Sequence, residues 1–292
     1  MIMLVLFVCT GNTCRSPMAS SYLRSFRLPG LTVESRGLAA DGSPASQNAV
    51  TVMKECGISL DEHRSKPLSP ADLSADLFIG LSNSHVEILR SLGIPSEKIL
   101  LLGGGIADPF GGDIELYRCC RNEIMQAVDA LLFDGVFTPF CITPMTEAHL
   151  TAVAALEQEC FSEPWSVASL SESLNAGTRF FVATNRDGTV LGYVGFSAVL
   201  DEGYFTNIAV TSPYRRQGVA TLLMQRVIVA ARELSLAFLS LEVRASNEAA
   251  RRLYERFSFS EAGRRRNFYR FPTEDAIILT RRFQTKHEDF KH

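Results

Sequence analysis

Cys9 and Arg15 frame the segment Cys9-Thr10-Gly11-Asn12-Thr13-Cys14-Arg15-Ser16-Pro17. A thiol is a strong nucleophile, and a guanidinium can hold two phosphate oxygens at once. Gly11 lets the backbone turn tightly. A loop running into a helix start aims successive N–H groups at one point, which makes an oxyanion cradle. The same groups favour a nucleophilic Cys9. The chemistry indicated is phosphoryl transfer through cysteine; the plainer alternative is a core thiol beside a surface arginine. A second segment, Ile208-Ala209-Val210-Thr211-Ser212-Pro213-Tyr214-Arg215-Arg216-Gln217-Gly218-Val219-Ala220, reads as strand, basic loop and helix start. Missing bulk at Gly218 and Ala220 lets a pyrophosphate approach the first N–H groups of that helix. An ordinary helix start with solvated arginines is the alternative there.

These segments need elements to hold them. Met3 to Cys9 is short and continuously apolar, so it predicts a buried strand, and Ser16-Pro17 opens a helix. Strands at 31–35, 75–81 and 99–102 then alternate with helices at 46–56, 84–92 and 114–133, which argues a parallel doubly wound α/β sheet. The pattern breaks at 134–140. Beyond it come a strand at 141–144, helical stretches at 147–160 and 166–175, and strands at 179–185, 190–199 and 204–210. The Asp187-Gly188 turn makes a hairpin, so pairing here is antiparallel. A helix at 218–234, strand 237–243, helix 248–256 and strand 276–281 complete a mixed-sheet α/β unit. The expected division is 1–137, 138–284 and a polar tail at 285–292.

Composition fits this and excludes several classes. The 292 residues carry net charge −3, with 46% hydrophobic and 21% charged residues, so disorder and coiled coil are excluded. Residues 1–140 hold 11 Lys+Arg and 15 Asp+Glu (−4); residues 141–292 hold 18 and 17 (+1), too little to suggest nucleic acid. Arg264-Arg265-Arg266 with Arg251-Arg252 reads as a solvated basic face. Seven cysteines do not resemble a secreted framework. The apolar opening Met1–Val8 lacks a basic flank and a cleavage site, so no signal peptide or membrane span is expected, and the expected compartment is the cytoplasm. His287 and His292 are isolated, and no metal is expected.

CTGNTCRSPMA resembles the phosphate loop of low-molecular-weight protein tyrosine phosphatases. Ser35-x-Gly37, LDEHRSKPL at 60–68, ADLFIGLSNSH at 75–85 and Asp108-Pro109-Phe110 continue the resemblance over residues 1–137. It implies that Cys9 attacks phosphorus and forms a phosphocysteine, Arg15 holds the phosphoryl oxygens, and Asn12 and Ser16 order the loop formed with Thr10, Gly11, Thr13 and Cys14. Asp108 would protonate the leaving group and then activate water. With Thr13 in place of a bulky aliphatic residue, the loop looks most like the protein-arginine phosphatase branch, so phosphoarginine is favoured over phosphotyrosine; Thr13 as mere packing stays open. Ser20, Gln47 and Asn48 depart from common family residues. Cys14 could form a protective disulfide with Cys9, or be a buried thiol. Arsenate reductases share the fold, but residues 76–100 lack the cysteines their cascade needs.

Downstream of the second segment, LEVRASNEAARRLYERFSF with Pro164-Trp165-Ser166, Arg266-Asn267-Phe268-Tyr269 and Glu274-Asp275 resembles GNAT acetyltransferases over residues 141–284, particularly the ribosomal-protein alanine N-acetyltransferases. That resemblance implies acetyl-CoA as donor and a protein N-terminal amine as acceptor, a ribosomal protein among the candidates. Ile208, Ala209 and Val210 would lie along the pantetheine, Arg215, Arg216, Gln217, Gly218, Val219 and Ala220 would bind the pyrophosphate, and Asn247 would touch the cosubstrate. Glu242 would take the ammonium proton and Tyr254 would protonate the thiolate. Without the resemblance, Glu242 is a strand-edge charge and Tyr254 a core residue. Ser258 stands where a glycine is common, which questions the turn there. The expected whole is a bifunctional phosphatase–acetyltransferase acting on phosphorylated protein and protein N-termini; one catalytic unit with a regulatory companion is the alternative.

Overall fold

The computed structural model describes residues 2–283; the tail 285–292 lies outside them. The chain divides into two compact units between Leu132 and Phe133.

In the first unit, strands β1 (Met3–Cys9), β2 (Leu31–Gly37), β3 (Leu77–Gly80) and β4 (Ile99–Leu101) form a parallel sheet in the order β2-β1-β3-β4. Helices α1 (Arg15–Ser25), α2 (Gln47–Lys54), α3 (Asn83–Ser91) and α4 (Ile114–Phe133) follow the strands in turn. A strand covered on both faces must be apolar on both, and Val5 to Val8 are fully buried. Leu6 and Val8 pack with Phe78, Val86 and Leu89. The chain leaves β1 towards β2 on one side and returns as β3 on the other. That reversal opens a crevice at the carboxyl end of β1, where Cys9 stands.

In the second unit, β5 (Phe140–Pro144), β6 (Arg179–Asn185), β7 (Val190–Val199), β8 (Glu202–Val210), β9 (Phe238–Arg244), β10 (Ser260–Arg270) and β11 (Thr273–Arg282) make one sheet ordered β10-β11-β9-β8-β7-β6-β5. Helices α5 (Leu150–Cys160), α6 (Val167–Asn175), α7 (Val219–Glu233) and α8 (Glu248–Arg256) complete it. Only β8 and β9 pair parallel, and only over Glu202–Tyr204 against Phe238–Ser240. An extra β8 residue in the β7–β8 ladder, between Phe205 and Ile208, bends β8 where that pairing ends. Below it, Leu150, Val153 and Leu156 pack on Phe180, Val182 and Tyr193.

The structure adds one strand to those expected, in the solvated basic run, and answers one open turn. The basic run 264–266 lies inside β10, an outer strand with mostly exposed side chains. It has no apolar alternation to announce it, and its pairing with β11 supplies the order. Ser258, where the turn was in question, takes φ +60° just after α8, and the Phe259 N–H returns to the Tyr254 carbonyl at 3.1 Å. A serine therefore closes this helix in the left-handed position that glycine usually fills. No helix among the described residues is long and apolar enough to cross a membrane.

Candidate active sites

The loop after β1 is built around Asn12. Its φ of +55° turns the chain inward, and its fully buried side chain works in both directions. Nδ2 donates to Ser16 Oγ at 2.8 Å, while Oδ1 accepts from the Lys66 N–H at 2.9 Å. His63 Nε2–H donates to the Asn12 carbonyl at 2.7 Å. Ser16 Oγ, with its lone pair engaged by Asn12, lies 3.0 Å from Cys9 Sγ, and the Asn12 N–H donates to the same sulfur at 3.3 Å. The chain just beyond β2 clamps the loop from the side: Leu38 and Ala39 N–H groups reach the carbonyls of Cys9 and Thr10 at 3.0 and 2.9 Å. A Cβ on Gly37 would stand 2.8 Å from the Thr10 carbonyl oxygen, so only glycine allows this approach.

Around the thiol, the N–H groups of Gly11, Thr13 and Cys14 have no protein acceptor among the described residues. Arg15 is buried, donates from Nη1 to the Ile106 carbonyl at 3.1 Å, and pairs through Nη2 with Asp108. Its Nε is buried with no acceptor. Asp108 is half-exposed and takes the Phe110 N–H at 3.2 Å on its other oxygen. The structure thus brings Cys9, Asn12, Arg15, Ser16 and Asp108 together. Cys14 Sγ instead faces Ser46 Oγ and the Tyr117 hydroxyl, each at 3.3 Å. Burial and that thiol push the Tyr117 phenol up to about 12. Both Cys9 and Cys14 are free thiols here.

Three partners of the loop, His63, His85 and Tyr117, carry no local signal in the sequence. His63 and His85 sit in motifs recognised there, yet nothing local says they reach Asn12 and Thr10. His85, 2% exposed, bridges Thr10 Oγ1 (3.0 Å from Nε2) and Ser82 Oγ (2.9 Å from Nδ1). Burial, with the Arg15 charge adding to it, pulls its imidazole down to about 4 from 6.5. Between those values the unfolded chain binds a proton that the folded chain refuses. The His85 contribution to stability is therefore intact above pH 6.5, declines as pH falls towards 4, and levels off below. The expected loss from pH 7 to pH 4 is about 3 kcal/mol. Urea unfolding across that range checks this against His85→Asn; an identical pH slope in both proteins contradicts it.

In the second unit, β8 leaves β9 after Tyr204, so the β9-facing backbone edge of 205–210 has no strand partner among the described residues while its other edge pairs β7. Ile208, Ala209 and Val210 lie on that free stretch. The loop beyond holds Arg216 at φ +64° and Gly218, which caps α7, at φ +91°. Val219 and Ala220 begin the helix, whose first N–H groups are unpaired by helix geometry. Arg215 is folded back, donating from Nε to the Val210 carbonyl at 2.9 Å and from Nη2 to Cys160 Sγ at 3.5 Å. Gln217 donates to the Pro213 carbonyl at 2.9 Å. An open strand edge ending in a capped helix start fits an extended thioester carrying a pyrophosphate.

At the end of β9, Glu242 Oε1 lies 3.3 Å from Arg265 Nη2. Asn247 caps α8, its side-chain oxygen accepting the Ala250 N–H at 3.1 Å. Tyr254 is buried, and burial with nearby Tyr269 raises its phenol above the ordinary value of 10. Tyr269 feels the charges of Glu242, Glu274 and Arg244, and Arg244 sits 4.2 Å over its ring. Sequence reading also missed buried Glu157, which receives Asn207 Nδ2 at 2.9 Å, the Trp165 N–H at 2.8 Å and the Tyr193 hydroxyl. Two of its three partners, Tyr193 and Asn207, are dozens of residues away along the chain, so no local signal marks it. Among the described residues, no group of three or more His, Cys, Asp or Glu could hold a metal.

Comparison with known families matches one family to each unit. The pattern described as low molecular weight phosphotyrosine protein phosphatase matches residues 4–136, and that of the acetyltransferase (GNAT) family matches 150–259. The chain belongs to both families, a phosphatase unit followed by an acetyltransferase unit. A protein-arginine-phosphatase of Geobacillus stearothermophilus is 42% identical over 137 residues, 44% of this chain and 92% of that protein. A low molecular weight protein-tyrosine-phosphatase of Staphylococcus haemolyticus is 35% identical over 136 residues, 44% and 97% respectively. A [ribosomal protein bS18]-alanine N-acetyltransferase of Escherichia coli K12 is 38% identical over 143 residues, covering 47% of this chain and 94% of its own.

Proposed function

We propose that this chain is a cytoplasmic bifunctional enzyme, with a phosphatase domain at 1–137 and an N-terminal acetyltransferase domain at 138–284. The observation that carries the first activity is the convergence on Cys9 Sγ: the Asn12 N–H, the Ser16 hydroxyl and the orphaned Arg15 Nε border one loop. Cys9 thiolate attacks phosphorus while the bond to the departing nitrogen or oxygen breaks, and Asp108 in its acid form gives that atom a proton. Arg15 and the free N–H groups of Gly11, Thr13 and Cys14 hold the phosphoryl oxygens. Asp108, now a carboxylate, takes a proton from the water that attacks phosphocysteine, releasing phosphate and the thiolate. In the free enzyme Asp108 pairs Arg15; an arriving phosphoryl group takes over the guanidinium and frees the acid.

The substrate is phosphoarginine in protein, supported by the small, partly exposed hydroxyl side chain of Thr13 in the loop and by the arginine-phosphatase relative. A guanidinium needs room and an acceptor there, which isoleucine would remove. Phosphatase assays with matched phosphoarginine and phosphotyrosine peptides test this. The unmodified protein should prefer phosphoarginine, and Thr13→Ile should lower that preference by roughly tenfold or more. A preference of the unmodified protein for phosphotyrosine overturns the assignment.

In the second unit, acetyl-CoA lies along Ile208–Val210 with its pyrophosphate at Gly218–Ala220, supported by the open β8 edge and the capped α7 start. Glu242 takes a proton from the acceptor ammonium, whose ordinary pKa of ~7.7–8.0 makes a carboxylate sufficient. The amine then attacks the thioester carbonyl, and Tyr254 gives its proton to the departing CoA sulfur. The acceptor is a protein N-terminus, and the relative that acts on ribosomal protein bS18 makes a ribosomal protein the first to try.

A further inference from the structure

Glu242 and Arg265 meet although a strand lies between them. Glu242 stands opposite Ile278 in the β9–β11 ladder, and Ile278 stands opposite Gly263 in β10. Opposed residues share a sheet face, and side chains return to a face every second residue. Arg265 therefore lies on the Glu242 face, one step along and opposite Ala276. Between the two, the face carries the small Ala276 opposite Arg265, and Ala276 is fully buried. The guanidinium crosses β11 to reach Glu242 Oε1 at 3.3 Å, and lies 5.4 Å from the centre of the Phe268 ring. Phe268 is in reach because the ladder is irregular between Arg265 and Tyr269, where Asn267 adopts φ +50° and donates its N–H to Asp275 Oδ1 at 2.9 Å.

A pair this exposed adds little to folding, so stability does not account for an irregular ladder that brings the Phe268 ring over the same guanidinium. Glu242 Oε2 has no partner among the described residues. We infer that Arg265 is a positioning residue for acetyl transfer: it fixes Glu242 through Oε1 and leaves Oε2 directed to the incoming amine. The inference rests on the reading of Glu242 as the proton acceptor.

The test uses the full chain with acetyl-CoA and a peptide bearing a free α-amine, comparing Arg265→Gln, Arg265→Lys, Glu242→Gln and the double variant Arg265→Gln/Glu242→Gln. Arg265→Gln should lower kcat/KM for the peptide roughly tenfold, with Tm and the Kd for CoA unchanged, and Arg265→Lys should recover part of the loss. The double variant should be no worse than Glu242→Gln, because a residue acting through another adds nothing once that other is gone. The inference is overturned if Arg265→Gln keeps full activity while Glu242→Gln is impaired, or if the two losses multiply. Full activity in Glu242→Gln instead removes the reading of the base itself.

Discussion

Cys9→Ser is expected to abolish phosphatase activity, by on the order of 10⁴-fold or more, while acetyl transfer proceeds unchanged. The hydroxyl fits the space of a thiol that is 3% exposed, so the loop stays formed. What is lost is reactivity. An alcohol needs a base beside it, and this loop has none to offer. Of the two nearby histidines, His63 is spent on the Asn12 carbonyl and His85 on Thr10 and Ser82. The neighbours of Cys9 Sγ, the Asn12 N–H and the Ser16 hydroxyl, are donors suited to a thiolate. Initial rates on phosphoarginine peptide and on acetyl transfer, from one preparation, check both halves. Substantial turnover by Cys9→Ser would rule out the phosphocysteine route.

Glu242→Gln should cost acetyl transfer about 10²-fold or more near pH 7 and spare the phosphatase. The amide keeps the shape and can still accept from Arg265, but it cannot take a proton. The defect should shrink as pH rises past about 8, where the acceptor amine is already free. That rescue separates lost proton transfer from lost structure. Tyr254→Phe should be similarly impaired, but without rescue at high pH, since its proton is required by the departing thiolate. Burial holds that phenol protonated through the neutral range. Wild-type rates in the Glu242→Gln, Tyr254→Phe double variant would dismiss this site.

Contiguity decides how much of this could be read from the chain. Cys9 to Ser16 is one loop between one strand and one helix, so residue type and order sufficed to foresee its members. Asp108 came from resemblance alone, since an Asp-Pro pair in a glycine-rich loop is an ordinary turn until Arg15 is seen to hold it. The supports of the loop were invisible: His85 acts 75 residues from Thr10, and Tyr117 103 from Cys14. The same holds for Glu157, a helical carboxylate indistinguishable in sequence from its exposed neighbour Glu159. β10 escaped for another reason. Apolar periodicity is the signal of a strand, and an outer strand with solvent on its sides has no cause to carry one.

That outer strand has a consequence beyond the reaction. The end of a sheet is a row of unsatisfied backbone groups, ready to accept the edge of another molecule and continue into an aggregate. Here the last strand carries Arg264, Arg265 and Arg266 and an irregular stretch from 265 to 269. Two such edges approaching one another would bring like charges together across kinked, mismatched backbones. The solvated arginine run thus also disfavours pairing of this end of the sheet with its own copies, while one of its arginines reaches back across the sheet to Glu242.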